Sequence, residues 1–204
     1  MSGSLLLAID TTSEHGSIAL AEDGRVVEQV ALHSSDGFAH MLFGEIEQLL
    51  ARHHLNITDL SGFAAAAGPG AFTGVRVGLT AVKGLAEATG KPVVAISNLQ
   101  ALAWFGTKPL RAPVIDARRG EVFVAIYDSD LRLISEEMVV KFEDWLQTSP
   151  RGEIEIIQGP RELAGAIAII AAARFDAGLG QDPAEIDANY VRRSDAELFW
   201  RDKI

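Results

Sequence analysis

The sequence predicts an α/β protein of two similar lobes, the second shorter than the first. Three observations carry that prediction. Short apolar runs at residues 5–10, 63–67 and 93–96 are separated by two long stretches of helical periodicity. A strand–turn–strand pattern near the start returns after an offset of 106 residues. Between an apolar run and a helical pattern lies the glycine-rich segment Gly68-Pro69-Gly70-Ala71-Phe72-Thr73-Gly74-Val75-Arg76-Val77-Gly78.

Taken in order, Leu5 to Asp10 reads as a buried strand and Ser17 to Ala21 as a second. Asp23-Gly24 turns the chain into a third, Arg25 to Leu32. Phe38 to His54 has the spacing of a helix, and Thr58 is placed to cap a short turn before the strand at Phe63. The glycine segment leads into a helix from Thr73, which Gly90-Lys91-Pro92 ends. Val93 to Ile96 reads as a strand and Asn98 to Phe105 as a helix. This β-β-β-α-β-α-β-α order is that of the ribonuclease H-like fold.

The pattern then restarts. At the offset of 106, Ile9-Asp10 matches Ile115-Asp116, Ile18 matches Val124, Leu20 matches Ile126 and Val27 matches Leu133. The period is too long for a solenoid and suits an internal duplication into two lobes. That is the architecture of the actin-like (ASKHA) superfamily. A strand at Ile154 to Ile157, a helix from about Arg161 to Ala173 and a polar tail complete an abbreviated second lobe. The expected division is residues 1–106 and 107–204.

Composition narrows the function classes. The chain has 204 residues, 48% of them hydrophobic, enough for a substantial core. It has no Cys, hence no disulfide, thiolate metal site or Cys nucleophile. Met1-Ser2-Gly3-Ser4 lacks a basic n-region, and the longest apolar stretch, Leu163 to Ala173, is too short to span a bilayer. A soluble, cytoplasmic protein without a membrane is expected. The net charge of −10 opposes phosphate backbones, so any contact with nucleic acid is expected to need a basic partner.

The motifs exclude several chemistries. No Lys-Ser/Thr pair closes the glycine segment as a P-loop requires, and its spacing is not that of a dinucleotide fingerprint. Alternatively, its glycines serve only to let a helix lie close to a strand. Asp10-Thr11-Thr12-Ser13 has the small hydroxyl side chains of a phosphate-wrapping turn. Asp116-Ala117-Arg118-Arg119-Gly120 puts two arginines where small residues are needed, and no late adenosine-binding Gly-Gly loop is seen. His40 is followed four residues later by Gly44, so no His pair shares a helix face. No cofactor, metal ligand or catalytic residue is assigned.

Two helices carry unusual apolar surface. Phe38, Leu42, Phe43, Ile46, Leu49 and Leu50 cover an arc of about 140° on a helical wheel. On the Thr73 helix only Arg76, Thr80, Lys83 and Glu87 form a polar strip. Gly74, Val77, Gly78, Ala81, Gly84 and Ala88 make a face of small residues, suited to close approach by another helix. That helix is either Phe38–His54 of the same chain or part of a second protein. The candidate partner interface is accordingly Phe38, Leu42, Ile46 and Leu49 with Gly74, Val77, Gly78, Ala81, Gly84 and Ala88.

Four stretches resemble the TsaB (YeaZ) family: Leu7-Ala8-Ile9-Asp10-Thr11-Thr12, the glycine segment, Asp116-Ala117-Arg118-Arg119-Gly120-Glu121-Val122-Phe123, and Asn189-Tyr190-Val191-Arg192-Arg193-Ser194-Asp195-Ala196-Glu197-Leu198. The motif positions are Asp10, Thr11, Gly68, Gly70, Thr73, Arg76, Asp116 and Arg118. The resemblance implies a non-catalytic subunit that pairs with TsaD and cooperates with TsaE. Together they place threonylcarbamoyl on N6 of adenosine 37 in tRNAs that read ANN codons. It also implies homodimers through the first two helices. The rivals are a stand-alone ATPase or small-molecule kinase, a peptidase-like enzyme of the same superfamily, or a homodimeric scaffold unconnected with tRNA.

Overall fold

The computed structural model describes residues 4–34, 36–148, 154–159 and 161–191. β1 (Leu5–Asp10) and β2 (Gly16–Glu22) form an antiparallel hairpin, with Ile9 opposite Ile18. Asp23 and Gly24, both at positive φ, turn β2 into β3 (Arg25–Leu32), the two-residue turn that suits strand twist. β4 (Gly62–Ala66) runs parallel to β1, and β5 (Val93–Ile96) parallel to β4. The resulting order is β3-β2-β1-β4-β5.

Because successive side chains leave opposite faces of a strand, this sheet has two distinct surfaces. Leu7, Ile9, Ile18, Leu20 and Phe63 lie in one core with α1 (Leu42–Arg52) and α2 (Phe72–Thr89). Ala8, Ala19, Ala21, Ala64 and Ala66 lie in the other with α5 (Ala164–Asp176). The second surface is alanine meeting an alanine-rich helix, so the backbones approach closely. From Ala164 to Ala172 α5 is apolar around its circumference, as a helix packed on more than one side is.

α1 begins at Leu42, four residues after the expected start. Phe38 sits in the preceding turn, where its carbonyl accepts the Leu42 amide at 2.9 Å and its ring fills the space beside Gly16. The 3₁₀ turn Ile57–Asp59 is opened by Asn56, whose amide donates to the Asp59 carboxylate at 2.7 Å; Thr58 lies inside the turn and is not its cap. α3 (Asn98–Ala103) is capped by Ser97, whose hydroxyl accepts from the Leu99 amide at 3.2 Å.

Among the described residues, the second sheet repeats the first without its fifth strand. β6 (Leu110–Arg118), β7 (Glu121–Asp128), β8 (Leu133–Lys141) and β9 (Ile154–Ile157) are ordered β8-β7-β6-β9. The repeat is out of step by one residue: Ile9 faces Ile18, whereas Ile115 faces Phe123 and Val124 faces Val114. An irregularity between Asp116 and Arg118 absorbs the difference. A short helix, α4 (Phe142–Thr148), was not evident in the sequence; Trp145 buries itself there and stacks on Phe142.

The chain does not stay with the second sheet. α5 covers the alanine face of the first, Gln181 and Val93 exchange backbone hydrogen bonds, and Ile186 is buried in the first core. Contacts therefore assign residues 164–191 to the first sheet, unlike the division at 106/107 drawn from sequence. The uncovered alanine surface of the first sheet supplies the reason: burying it requires a helix that the first 106 residues do not contain. No helix among the described residues is long and apolar enough to cross a membrane.

Candidate functional site

The glycine loop and the end of the β1–β2 hairpin form a single assembly. The Gly68–Pro69 peptide is cis. The Gly68 amide donates to Asn98 Oδ1 at 3.0 Å, and the Asn98 amide returns a bond to the Gly68 carbonyl at 2.8 Å. Asn98 Nδ2 donates to the Thr12 hydroxyl, which donates in turn to Asp10 Oδ1 at 2.6 Å. The Thr12 amide also donates to Asp10 Oδ1, at 2.9 Å. The Ala71 amide donates to the Thr12 carbonyl at 2.7 Å, and the Thr11 hydroxyl to the Gly74 carbonyl at 2.7 Å.

This packing explains the glycines. A Cβ on Gly70 would lie 2.7 Å from the Thr12 carbonyl oxygen, and one on Gly78 2.8 Å from the Thr11 hydroxyl. A Cβ on Gly74 would run into the Thr11 carbonyl oxygen well inside contact distance. The small face of α2 is thus filled along its first turns by the chain's own Thr11-Thr12 turn.

Asp10 is fully buried. Its Oδ2 has no hydrogen-bond partner among the described residues. Burial pushes its carboxyl above the usual aspartate range, an effect opposed by the Thr12 hydroxyl and amide and by the nearby Leu163 amide at the start of α5. Asp116 is exposed, accepting the Arg118 amide at 2.8 Å, with the Arg118 guanidinium 3.5 Å away. Arg118 and Arg119 both hold positive φ, at 65° and 57°.

A second network joins the lobes beside this assembly. Glu137 on β8 accepts from Tyr127 OH at 2.6 Å, from Asn189 Nδ2 at 2.5 Å and from the Ser97 hydroxyl. The Asn189 amide donates to the Ala67 carbonyl at 2.8 Å. Burial, then the Glu137 charge, raise the Tyr127 phenol far above its ordinary range, so it stays a donor. On the outside, the Arg76 guanidinium lies 3.2 Å from the centre of the exposed Phe72 ring and donates to Tyr190 OH at 2.8 Å.

The structure brings together Asp10, Thr11, Gly68, Gly70 and Gly74, and sets Arg76 and the exposed Thr73 at their rim. It leaves Asp116 and Arg118 at the tip of a separate hairpin. The proposed interface residues divide. Phe38, Leu42, Ile46 and Leu49 are in the chain's own core, as is Ala81, and Gly78 is buried. Val77 is half-buried, and Gly84 and Ala88 are exposed. The apolar arc of α1 thus packs in the chain's own core, the same-chain alternative that the helical wheel left open; Phe43, 55% exposed, is the large apolar side chain that α1 leaves open. Asn98 and Glu137 were missed. Asn98 follows a strand beside a capping serine and carried a detectable signal, whereas Glu137 sits in an ordinary alternation of strand residues. Residues 192–198 of the fourth family stretch lie outside the described residues. Among the described residues no cluster of His, Cys, Asp and Glu is arranged to hold a metal ion.

A family model described as "TsaD: tRNA N6-adenosine threonylcarbamoyltransferase" matches residues 30–174. The TsaB protein of Bacillus subtilis is 33% identical over 147 residues, 70% of this chain and 64% of the relative. Escherichia coli TsaB is 36% identical over 129 residues, 61% of this chain and 55% of the relative. The chain belongs to the TsaB/YeaZ family. The structure of YeaZ from Pseudomonas aeruginosa superimposes with a TM-score of 0.79 at 27% identity, covering 92% of this chain and 99% of that one. The match to the two curated relatives thus spans under two thirds of their length.

Proposed function

We propose that this chain is a non-catalytic partner subunit of the machinery that places threonylcarbamoyl on N6 of adenosine 37 in ANN-decoding tRNAs. It pairs with and activates TsaD, works with TsaE, and reaches tRNA only through the complex, in the cytoplasm. The named TsaB relatives support the pathway. The burial of Asp10 supports the non-catalytic reading. The acid that a phosphate-transferring relative would need is closed off from solvent and bonded to Thr12, and Thr11-Thr12 lie where the glycine loop would otherwise be open.

The partner surface is the open part of α1 and α2, around Phe43, Val77, Gly84 and Ala88, and a second copy can compete for it. A Cβ on Gly84 meets nothing within 4 Å, so Gly84→Arg adds bulk only outside the chain. The expected result is a folded variant that fails to co-purify with TsaD and fails to support modification in a reconstituted mixture. Ala81→Arg should instead unfold the chain, because Ala81 is buried and an unpaired charge there costs several kcal/mol. Normal pairing by Gly84→Arg would reject this surface. Failure of the unsubstituted chain to co-purify with TsaD would reject the function.

A further inference from the structure

On the side of the molecule formed by α3, α5 and the β7–β8 turn lies a groove of 610 Å³. Trp104 and Leu179, 39% and 60% exposed, stand at its margin, and Leu131 and Ile170 contribute apolar wall. Two guanidinium groups, Arg111 and Arg174, line it as well.

The arginines are held in an unusual way. Arg174 is half-buried, and its donors go to neutral acceptors: Nη1 to the Ala95 carbonyl at 3.0 Å and Nη2 to Gln100 Oε1 at 2.8 Å. No carboxylate among the described residues pairs with it, and burial lowers its pKa from the ordinary arginine value. Arg111 likewise donates from Nε to the Lys108 carbonyl at 3.0 Å, and Glu155, which feels its charge, is occupied by the Thr107 and Lys108 amides. The one acid on the wall, Asp130, is paired with Arg132 at 3.3 Å. Arg174, partly withdrawn from water and bonded to neutral acceptors alone, is costly to keep charged, and an anion supplied from solution relieves that cost, with Arg111 as a second donor beside it. Guanidinium presents a planar fork of donors suited to carboxylate or phosphate.

Trp104 adds the second requirement. Its ring is held edge-to-face by Phe105, at 5.1 Å and 89°, so a flat indole surface is fixed at the groove before anything binds. We infer that this groove binds a small organic anion with a flat body, its charged end against Arg174 and Arg111 and its plane against Trp104. The site lies apart from the glycine loop and does not depend on the pairing proposed above.

The full chain would be titrated with AMP and with benzoate by calorimetry and ligand-observed NMR, with adenosine and benzamide as uncharged counterparts. At least one anion should saturate, and its uncharged counterpart should bind at least about tenfold more weakly. Trp104→Ala and Arg174→Gln should each weaken the anion by about tenfold or more. Saturation by AMP alone assigns a phosphate ester; saturation by benzoate assigns a carboxylate. Since Arg174 also braces β5, Arg111→Gln and the exposed Trp104→Ala decide the matter if Arg174→Gln melts early. Absence of saturation by both anions, or binding unchanged in Trp104→Ala and Arg111→Gln, overturns the inference.

Discussion

The two lobes repeat one strand order and put an aspartate at the end of the same strand, yet the two acids live in opposite environments. Asp10 is fully buried beneath α2 and the start of α5, bonded to Thr12, with its carboxyl shifted upward. Asp116 stands in solvent beside an arginine. Strand topology does not make the difference. The first sheet is covered on both faces, by α1 and α2 on one side and α5 on the other. Among the described residues, the second has α3 on one face and only the short α4 on the other. Duplication copied the frame, and the unequal supply of helices decided which copy became enclosed. Neither turn is left as an open cradle: the first is filled by its own threonines, and the second carries Arg118 and Arg119 at positive φ.

The largest expected contrast comes from placing one methyl group in each turn. In Gly74→Ala the new Cβ meets the Thr11 backbone carbonyl, which flexible side chains cannot relieve. Over-packing of that kind should cost at least about 2 kcal/mol even after the roughly 1 kcal/mol that alanine gains over glycine in a helix. In Gly120→Ala the Cβ meets nothing within 4 Å, and only the φ of 77° resists it, at about 1 kcal/mol. Urea denaturation of the two variants measures the difference. Equal losses would mean that the glycine loop is not packed against Thr11.

A smaller contrast tests the two sheet surfaces. Ala19→Leu adds volume between the first sheet and α5, where Ala19 is completely buried, and should cost about 1–3 kcal/mol. Ile134→Ala on β8 removes a side chain that is 58% exposed, and should stay within about 0.5 kcal/mol. Thermal melts at one protein concentration suffice. A tolerated Ala19→Leu would show that α5 does not seal the alanine face.

These contrasts also mark what was legible in the sequence. The strands of the first sheet are readable because β1, β2, β4 and β5 are nearly unbroken apolar runs, the pattern of strands covered on both faces. The repeat was readable because Asp10 and Asp116 each follow an isoleucine at a strand end. The one-residue slip between the repeats was invisible, since an irregularity beside Ala117 leaves no residue pattern. The destination of α5 was invisible for another reason. Alanine-rich strand and alanine-rich helix are complementary only in space, and chain order assigned that helix to the nearer sheet. The interface residues are open in the same way: the wheel gives an apolar arc on α1, but periodicity does not say whether an apolar face meets its own chain or another. The glycines stand out in the sequence and allow close packing of helix on strand, but nothing in the residue pattern names Thr11 and Thr12 as what they approach.

The smallest effect is a difference in pH dependence, and its sign follows from burial. Asp10 has a folded-state pKa above its unfolded value, because burial disfavours the carboxylate more than the Thr12 bonds favour it. Between those two values the folded chain holds more protons than the unfolded one, so stability falls as pH rises through that interval and is level above it. Asp10→Asn keeps an oxygen for the Thr12 amide and hydroxyl and removes the titration. Relative to the native chain, this variant should therefore gain stability as pH rises from the ordinary aspartate range through the folded pKa, and hold that gain above it. Glu28 and Glu155 act with the opposite sign. The first is lowered by hydrogen bonds from Arg52 and His53, the second by the Lys108 and Thr107 amides. Both are present in either chain and cancel in the comparison. Urea titrations of the native chain and Asp10→Asn across the acidic range measure the difference. A flat difference would mean that Asp10 is not enclosed by α2 and the start of α5 as the structure has it.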